Sequence, residues 1–243
     1  MRVGVVGESD IATRVAEAVR TAGETVERGD AAAVDDADPD VVVATGESAV
    51  LDLVRAGVSA PVLPVATGPG LESVPGPAAE SAVAALLDDG WTTVERPLLS
   101  VAVDGEHVAD ALLDATLVTS EPARISEYAV RTRRGTVAQF RADAVVVATP
   151  AGSTGYARDA GGPAVEPGTG VVSVVPVAPF ATHVDDWVLS GPVTLSVERD
   201  EGAVSLYVDD REHGDVPPRT TVELGFDGAL TLATVPDSEG FFG

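Results

Sequence analysis

The chain has 243 residues, 45% of them hydrophobic, which is enough to bury the core of one large domain or of two modest ones. Its formal net charge is −24 and all 15 basic residues are Arg, so it offers no basic surface for nucleic acid or for an anionic membrane. The absence of Lys also argues against a P-loop, a protein kinase site and pyridoxal Schiff-base chemistry, because each requires a lysine.

The N-terminal part of the chain predicts alternating strands and helices. Apolar runs at 2–6, 40–45 and 61–67 predict three buried strands. Apolar residues at helical spacing predict a helix from Ile11 to a stop at Gly23, and two more helices at 49–55 and 77–89. This β-α-β alternation predicts a small Rossmann-like parallel sheet with helices packed against it.

The pattern changes near Trp91, after which short strands and frequent turns dominate. Asp104-Gly105 is a typical hairpin turn between two of these strands. The predicted strands are 98–103, 111–119, 124–132, 136–140, 144–148, 171–177, 193–197, 203–208, 220–224 and 230–234. Such spacing is typical of a β-sandwich. We therefore expect an α/β domain over 1–92, a β-sandwich-like domain over 93–228, and a C-terminal segment, 229–243, that returns to the first domain.

One loop carries most of the chemical information in the sequence. Asp143 and the predicted strand 144–148 lead into Thr149-Pro150-Ala151-Gly152-Ser153-Thr154-Gly155-Tyr156. Ser153 or Thr154 could cap a helix that starts there, and the backbone N–H groups at a helix start attract anions. The small residues would let a ligand approach the backbone, and Tyr156 offers a flat face to a base or a sugar. The same composition is also compatible with an ordinary strand-turn-helix connection.

This loop, followed by Ala160-Gly161-Gly162-Pro163, resembles the NAD kinase signature T-P-T-G-S-T-A-Y…G-G-P. Asp143 stands where that family carries an Asp before the signature, and Glu95-Arg96-Pro97-Leu98-Leu99 resembles its E-R-x-x-L element. The resemblance implies an α/β domain followed by a β-sandwich-like domain. It also implies transfer of the γ-phosphate of ATP to the 2′-hydroxyl of NAD, with Mg²⁺ carried by the ATP, in a homodimer or homotetramer that binds small-molecule nucleotides.

The resemblance also implies a role for each candidate site residue. Where the family has G-G-D-G, whose Asp is its general base, this chain reads Thr45-Gly46-Glu47-Ser48, so Glu47 is the candidate base and Gly46 the point of close approach to the phosphates. The family pairs an Asn with an acid to hold NAD; here the matching residues are Leu113 and Asp114. The other candidate dinucleotide-binding residues are Asp143, Thr149, Gly152, Ser153, Thr154, Gly155 and Tyr156.

These departures from the family pattern leave several hypotheses open. The first is an active but divergent NAD kinase. The second is a weak or inactive nucleotide-binding protein on the same fold, which would sense NAD(P) or ATP or serve as partner to an intact kinase. A kinase for another hydroxyl substrate is the third. A Rossmann oxidoreductase is the weakest, because Gly4-Val-Val-Gly7 is not G-x-G-x-x-G.

The Cys, His and acidic content of the chain indicates what to expect of metal binding and of the cellular environment. The chain has no Cys, and His107, His183 and His213 lie far apart in sequence, so we expect no protein metal site. No signal peptide precedes the first strand and no apolar run reaches ~18 residues, so we expect a cytoplasmic protein without a membrane partner. An acidic excess spread along a chain without Lys suggests a cytoplasm of high salt, where screening weakens self-repulsion.

Overall fold

A computed structural model describes residues 1–121, 124–200 and 202–241 of the protein. The molecule divides into two compact units: unit 1 comprises Met1–Arg96 and Ala229–Gly243, and unit 2 comprises Pro97–Gly228. Two long strands, Thr92–Val103 and Thr221–Thr234, have residues in both units. Within the described residues, no helix has both the length and the apolar character that crossing a membrane requires.

Unit 1 is a parallel sheet with helices packed against it. Its elements are β1 (Arg2–Val6), α1 (Asp10–Thr21), β2 (Thr25–Gly29), α2 (Ala31–Asp36), β3 (Val41–Thr45), α3 (Glu47–Ala56), β4 (Val62–Val65) and α4 (Ala79–Leu87). The strands are parallel and lie in the order β2-β1-β3-β4. Leu232, near the end of the chain, pairs in parallel with Val62 of β4.

The sequence explains why β1 and β3 form the centre of this sheet. Both are apolar along their length, and Val3, Val5, Val41 and Val43 are fully buried, as expected for strands covered on both faces. Helix α1 presents one buried face at helical spacing, consisting of Ala12, Val15, Ala16 and Val19. These residues pack with buried residues of α4 into the core of unit 1.

The sequence does not predict β2 or α2. Strand β2 reads Thr-Val-Glu-Arg-Gly, lies at the edge of the sheet and is mostly exposed, so it carries no apolar run. Helix α2 has only 6 residues, and its first turn is held by Asp30, whose Oδ1 accepts the N–H of Ala33 at 2.9 Å. Neither element is long enough to show a clear hydrophobic period.

Unit 2 is built almost entirely from strands. The elements that follow α4 are β5 (Thr92–Val103), β6 (Glu106–Ala111), β7 (Asp114–Thr119), β8 (Ser126–Thr132), β9 (Gly135–Ala142), β10 (Ala144–Ala148), α5 (Tyr156–Asp159), β11 (Val171–Val177), β12 (Trp187–Ser190), β13 (Val193–Arg199), β14 (Val204–Val208), β15 (Arg211–Asp215) and β16 (Thr221–Thr234). Helix α5 has only 4 residues, so strands supply the structure of the unit.

The strands of unit 2 form two sheets that enclose one core. In one sheet β16, β13, β8 and β9 are successive neighbours, and β5 pairs with β16 and β6. The other sheet has the order β12-β11-β10-β7-β14-β15 and is antiparallel throughout. Val145 and Val147 of β10 pack into the core with residues of both sheets. Val146 and Ala148 pack on the opposite face, as the two-residue period of a strand requires.

The predicted fold class is confirmed: an α/β unit and a β-sandwich-like unit. Some predicted strands differ in detail. The run predicted at 111–119 is two strands, β6 and β7, which are separated at Leu112 and Leu113. The strands predicted at 220–224 and 230–234 are parts of the single strand β16, and β12 and β15 were missed because both are short and largely exposed.

Candidate functional site

The loop 149–156, which we call the signature loop, connects β10 to α5 in unit 2. Gly152–Thr154 form a turn of 3₁₀ helix, and α5 starts directly after Gly155. Ala157 of α5 packs against Val146 and Val175 on the outer face of the sheet. The loop is therefore anchored at both ends, by a buried strand before it and by a packed helical turn after it.

The buried part of the signature loop is held by its own hydroxyl groups. Thr149 is 1% exposed; its Oγ1 donates to the carbonyl oxygen of Leu112 at 2.6 Å and accepts the N–H of Gly152 at 3.2 Å. The Oγ of the fully buried Ser153 donates to the carbonyl oxygen of Pro150 at 2.7 Å and accepts the N–H of Val165 at 2.8 Å. These two hydroxyls are engaged in fixing the shape of the loop.

Gly152 is required by a close approach of two backbone segments. A Cβ atom at this position would stand 2.0 Å from the carbonyl oxygen of Leu113 and 2.4 Å from its carbonyl carbon. Backbone atoms cannot rotate away as a side chain can, so no other residue fits without a shift of the loop. The sequence suggested that the small residues of the loop would let a ligand approach. The structure shows that Gly152 lets the backbone at Leu113, just before β7, approach the loop.

The outer end of the signature loop faces solvent, within electrostatic range of two carboxylates. Tyr156 is 48% exposed, Gly155 is exposed, and Thr154 is half-buried with its hydroxyl donating to the carbonyl oxygen of Ala151 at 3.1 Å. Partial burial raises the pKa of the Tyr156 phenol, and the negative charges of Asp114 and Asp143 raise it further. Asp114 lies opposite Ala148 at the end of β10, whereas Asp143 precedes the first residue of β10, so the two acids lie at opposite ends of the β7–β10 pair, and Tyr156 is within electrostatic range of both.

The two acids lie at opposite ends of the β7–β10 pair. Asp114 is the first residue of β7, and its Oδ1 accepts the hydroxyl of Thr116 at 3.1 Å. Asp143 lies in the turn between β9 and β10, where its carboxylate is exposed and its backbone bonds to Thr119 and Val177. Each carboxylate can accept hydrogen bonds from hydroxyl groups, and the Tyr156 ring can pack against a planar group, but the two acids are too far apart along the strand pair to bind the same hydroxyl groups.

Gly46 and Glu47 lie in unit 1, at the start of α3. Gly46 has φ +90°, a conformation that favours glycine, and its N–H donates to the carbonyl oxygen of Val65 at 2.8 Å. Glu47 is exposed and is the first residue of the helix. Its Oε2 lies 3.7 Å from the position that a Cβ of Gly68 would occupy. The Glu47 carboxylate therefore lies beside the loop that follows β4.

That loop is held in place by a buried ion pair. The Arg96 side chain is 5% exposed, and its Nη2 lies 2.7 Å from Oε1 of Glu72. Glu72 ends the short 3₁₀ turn Pro69–Leu71 with φ +51°. The sequence marked Arg96 only as part of a family element, whereas the structure shows that it fixes the segment that carries Gly68.

A crevice that the sequence did not predict opens in unit 1 at the carboxyl ends of β1, β2 and β3. Its volume is about 710 Å³, and its walls include Gly7, Arg28, Thr45, Ser48 and three acids, Glu8, Asp30 and Asp52. Strand β1 has β2 on one side and β3 on the other. A reversal of strand order of this kind is where open α/β sheets bind ligands.

Two residues give this crevice its shape and its positive charge. Gly7 has φ +124°, and a Cβ there would stand 2.2 Å from Oγ1 of Thr45, so only glycine lets the two strand ends meet. Arg28 is the basic residue of the lining, and its Nη1 donates to Oγ1 of Thr13 at 3.0 Å. An exposed Arg at the end of a strand was the available signal, but β2 itself was not predicted.

The acids of the described residues do not form a metal centre. Among residues 1–121, 124–200 and 202–241, no group of three or more His, Cys, Asp and Glu side chains is arranged to hold a metal ion. The three acids among the candidate site residues belong to different units: Glu47 is in unit 1, and Asp114 and Asp143 are in unit 2.

The signature loop lies in a part of the chain that is similar to known proteins. The family model of the ATP-NAD kinase C-terminal domain matches residues 112–225, which include this loop, Asp114 and Asp143. The NAD kinase of Methanosarcina acetivorans is 31% identical over 137 residues, which are 56% of this chain and 50% of that protein. The NAD kinase of Methanospirillum hungatei is 29% identical over 193 residues, 76% of this chain and 71% of that protein.

Residues 112–225 of the chain are therefore similar to the C-terminal domain of ATP-NAD kinases. The similarity of fold extends over both units: the NAD kinase of Archaeoglobus fulgidus, solved in complex with ATP, superposes with a TM-score of 0.81 at 22% identity, covering 98% of this chain and 96% of that one. The sequence matches are shorter, and they span about half the length of several of the relatives. The roles predicted for the individual site residues stay predictions.

Proposed function

We propose that this chain belongs to the NAD kinase family and is an active NAD kinase, which transfers the γ-phosphate of ATP to the 2′-hydroxyl of NAD and releases NADP and ADP. The observation that carries the proposal is the signature loop, whose Gly152 is forced by a backbone approach of 2.0 Å and whose outer end leaves Tyr156 exposed to a ligand. The names of the relatives and the ATP complex of the Archaeoglobus fulgidus protein support it.

In this proposal NAD binds at the outer end of the signature loop. Tyr156 packs its ring against a base or sugar, and the exposed backbone of Gly155 and the hydroxyl of Thr154 contact the phosphates. Asp114 accepts hydrogen bonds from ribose hydroxyls, and Asp143, at the other end of the β7–β10 pair, accepts hydrogen bonds from a different part of the dinucleotide. Thr149, Gly152 and Ser153 contribute indirectly, because they keep the loop in the shape that contacts require.

ATP binds in the crevice of unit 1. The Arg28 guanidinium donates to phosphate oxygens, and Gly7 allows the phosphates to approach the backbone. The three acids of the lining would repel a bare triphosphate, so the crevice suits ATP that arrives with Mg²⁺. In this proposal the metal is therefore part of the substrate.

Glu47 serves as the general base. Its carboxylate accepts the proton of the NAD 2′-hydroxyl while that oxygen attacks the γ-phosphorus. The new bond joins the 2′-oxygen to phosphorus, the bond from phosphorus to the β,γ-bridging oxygen breaks, and ADP leaves with that electron pair. A 2′-hydroxyl is a weak nucleophile, so removal of its proton by a positioned base is worth roughly 10²–10⁴-fold in rate. The exposure of Glu47 at the start of α3 supports this role.

An assay for NADP tests the proposal. The protein is incubated with ATP, Mg²⁺ and NAD in molar KCl. Glu47→Gln should lower kcat roughly 10²–10⁴-fold and leave NAD binding nearly intact. Glu17→Gln, which removes an exposed carboxylate from α1, is the matched control and should not change kcat. Wild-type protein that binds NAD without forming NADP would overturn the proposal in favour of a nucleotide sensor, and activity unaffected by Glu47→Gln would remove Glu47 as the base.

The donor site is tested separately. Arg28→Met should raise the KM for ATP by roughly tenfold, since a hydrogen bond to a charged group is lost, and should leave the KM for NAD unchanged. Arg20→Met removes an exposed Arg of α1 as the matched control. Equal KM values for ATP in the two variants would exclude the crevice as the donor site.

A further inference from the structure

The turn between β14 and β15 places a carboxylate directly behind the segment that leads to Asp114. Asp209, with φ +51°, is the first residue of this turn, and its N–H donates to the carbonyl oxygen of Asp114 at 2.8 Å. Its side chain accepts three successive backbone N–H groups: Oδ2 from Leu112 at 3.0 Å, and Oδ1 from Leu113 at 2.7 Å and from Asp114 at 3.1 Å. These contacts join positions that are 95–97 residues apart.

The signature loop holds the same segment from its other side. Oγ1 of Thr149 donates to the carbonyl oxygen of Leu112 at 2.6 Å. The backbone N–H of Thr149 donates to the carbonyl oxygen of Leu113 at 2.8 Å. Each backbone N–H and carbonyl group of residues 112–114 is thus paired, the N–H groups with Asp209 and the carbonyls with Thr149 or Asp209. Hydrogen bonds that involve an ionised group are shorter and about twice as strong as neutral ones.

We propose that Asp209 is a positioning residue for the dinucleotide, because it fixes the backbone from which the Asp114 carboxylate projects. The inference rests on the proposed function, in which Asp114 holds a ribose of NAD. Asp209 itself need not touch the ligand. Its carboxylate gathers three N–H groups that would otherwise be unpaired next to the site, and Asp114 then starts β7 in one position. Loss of this support should act on NAD binding more than on the phosphoryl transfer or on ATP.

The geometry allows a graded series of variants. Asp209→Gly removes the carboxylate and is free of backbone strain at φ +51°. Asp209→Asn can keep Oδ1, which accepts from Leu113 and Asp114, while its amide nitrogen would face the N–H of Leu112 and lose that bond. The expected order of NAD affinity is therefore wild type, then Asp209→Asn, then Asp209→Gly.

Asp104 provides a matched control in the same unit. It occupies the hairpin turn between β5 and β6 with φ +48°, and its Oδ1 accepts the N–H of Thr221 at 2.9 Å and its hydroxyl at 3.1 Å. Asp104→Gly therefore removes a carboxylate of similar backbone conformation and similar structural use, but one that bonds to β16 and not to residues 112–114. A merely structural loss should be alike in the two glycine variants.

The test measures the KM values for NAD and ATP, kcat, the calorimetric Kd for NAD, and the thermal midpoint of each variant in molar KCl. Asp209→Gly should raise the Kd and the KM for NAD roughly 10–100-fold, since a displacement of about 1 Å at a positioned group has effects of this size. Its KM for ATP should be unchanged, Asp209→Asn should be intermediate, and Asp104→Gly should bind NAD like wild type.

Two kinds of failure can be told apart. Suppose that wild type binds NAD and that both Asp209 variants, Asp209→Asn and Asp209→Gly, bind NAD with the affinity of wild type. The positioning role is then overturned while the proposed function stands. If Asp104→Gly weakens NAD binding as much as Asp209→Gly does, the effect is general destabilisation and the inference is likewise overturned. If wild type neither binds NAD nor forms NADP, the proposed function fails and the inference falls with it.

Discussion

Replacement of Gly152 by Ala should destabilise the protein through one backbone collision. The added Cβ would stand 2.0 Å from the carbonyl oxygen of Leu113, whereas real Cβ contacts essentially never fall below 3.0 Å, so the two segments must separate by about 1 Å. The same two segments are joined by the bonds from Thr149 to the carbonyl oxygens of Leu112 and Leu113, at 2.6 and 2.8 Å. A separation of this size breaks both.

The magnitude follows from these losses. Each lost hydrogen bond costs about 1 kcal/mol, and overpacking in a tightly packed interior costs about 1–3 kcal/mol more. The sum is about 3–5 kcal/mol. A change of 1 kcal/mol shifts the midpoint of a chain of this size by roughly 2–4 °C, so thermal unfolding followed by circular dichroism should show a fall of roughly 6–20 °C.

Gly225→Ala is the control, because a Cβ there would meet Pro192 at 3.7 Å, an ordinary van der Waals distance, and its backbone is already extended in β16. Its midpoint should stay close to that of wild type. A Gly152→Ala midpoint within about 2 °C of wild type would refute the reasoning, since the Leu113 carbonyl would then have room to yield at little cost.

Three further outcomes are expected. Glu72→Gln should lower the urea-unfolding free energy by about 3 kcal/mol or more, because Arg96 is left buried without its partner charge, whereas Glu80→Gln, which breaks an exposed pair with Arg14, should cost less than about 1 kcal/mol. In a spectrophotometric titration, Tyr156→Phe should remove a phenol that ionises above the usual pKa of 10.0; because the folded pKa is raised, the stability that depends on it is present below that pH and lost as the pH rises further. Thermal stability should rise from low to molar KCl, and a flat or falling midpoint would contradict an adaptation to salt.

The sequence predicts best where one stretch of chain carries the whole pattern. Strands β1, β3 and β10 are continuous apolar runs, and the signature loop is contiguous, so fold class and loop position follow directly. The crevice of unit 1 could not be predicted in this way. Its walls come from the ends of three strands that are separated along the chain, and one of them, β2, has too little apolar character to be recognised.

The segment before Asp114 shows a second reason for failure. Ala111, Leu112 and Leu113 read as the interior of a strand, yet the ladder is interrupted there and the backbone bonds to Asp209 and Thr149. Hydrogen bonds between residues that are far apart in sequence leave no local period. The sequence shows only that Asp209-Asp210 is a typical turn, and it gives no sign that Asp209 bonds to residues 112–114.

The way this segment is held also explains why Leu can stand where the family has Asn. The backbone of residues 112–114 is fixed by Asp209 and Thr149, so its position does not require an amide side chain at residue 113, where the Leu113 side chain is half-buried. Residue 152, in contrast, must be glycine, because the close contact of its backbone with Leu113 leaves no room for a Cβ. Leu113→Asn should therefore change the unfolding free energy by less than about 1 kcal/mol. It should also lower the KM for NAD, since an amide returns to the ligand-binding surface. A loss of several kcal/mol would show that the Leu113 side chain packs into unit 2, and an unchanged KM would show that NAD does not contact this position.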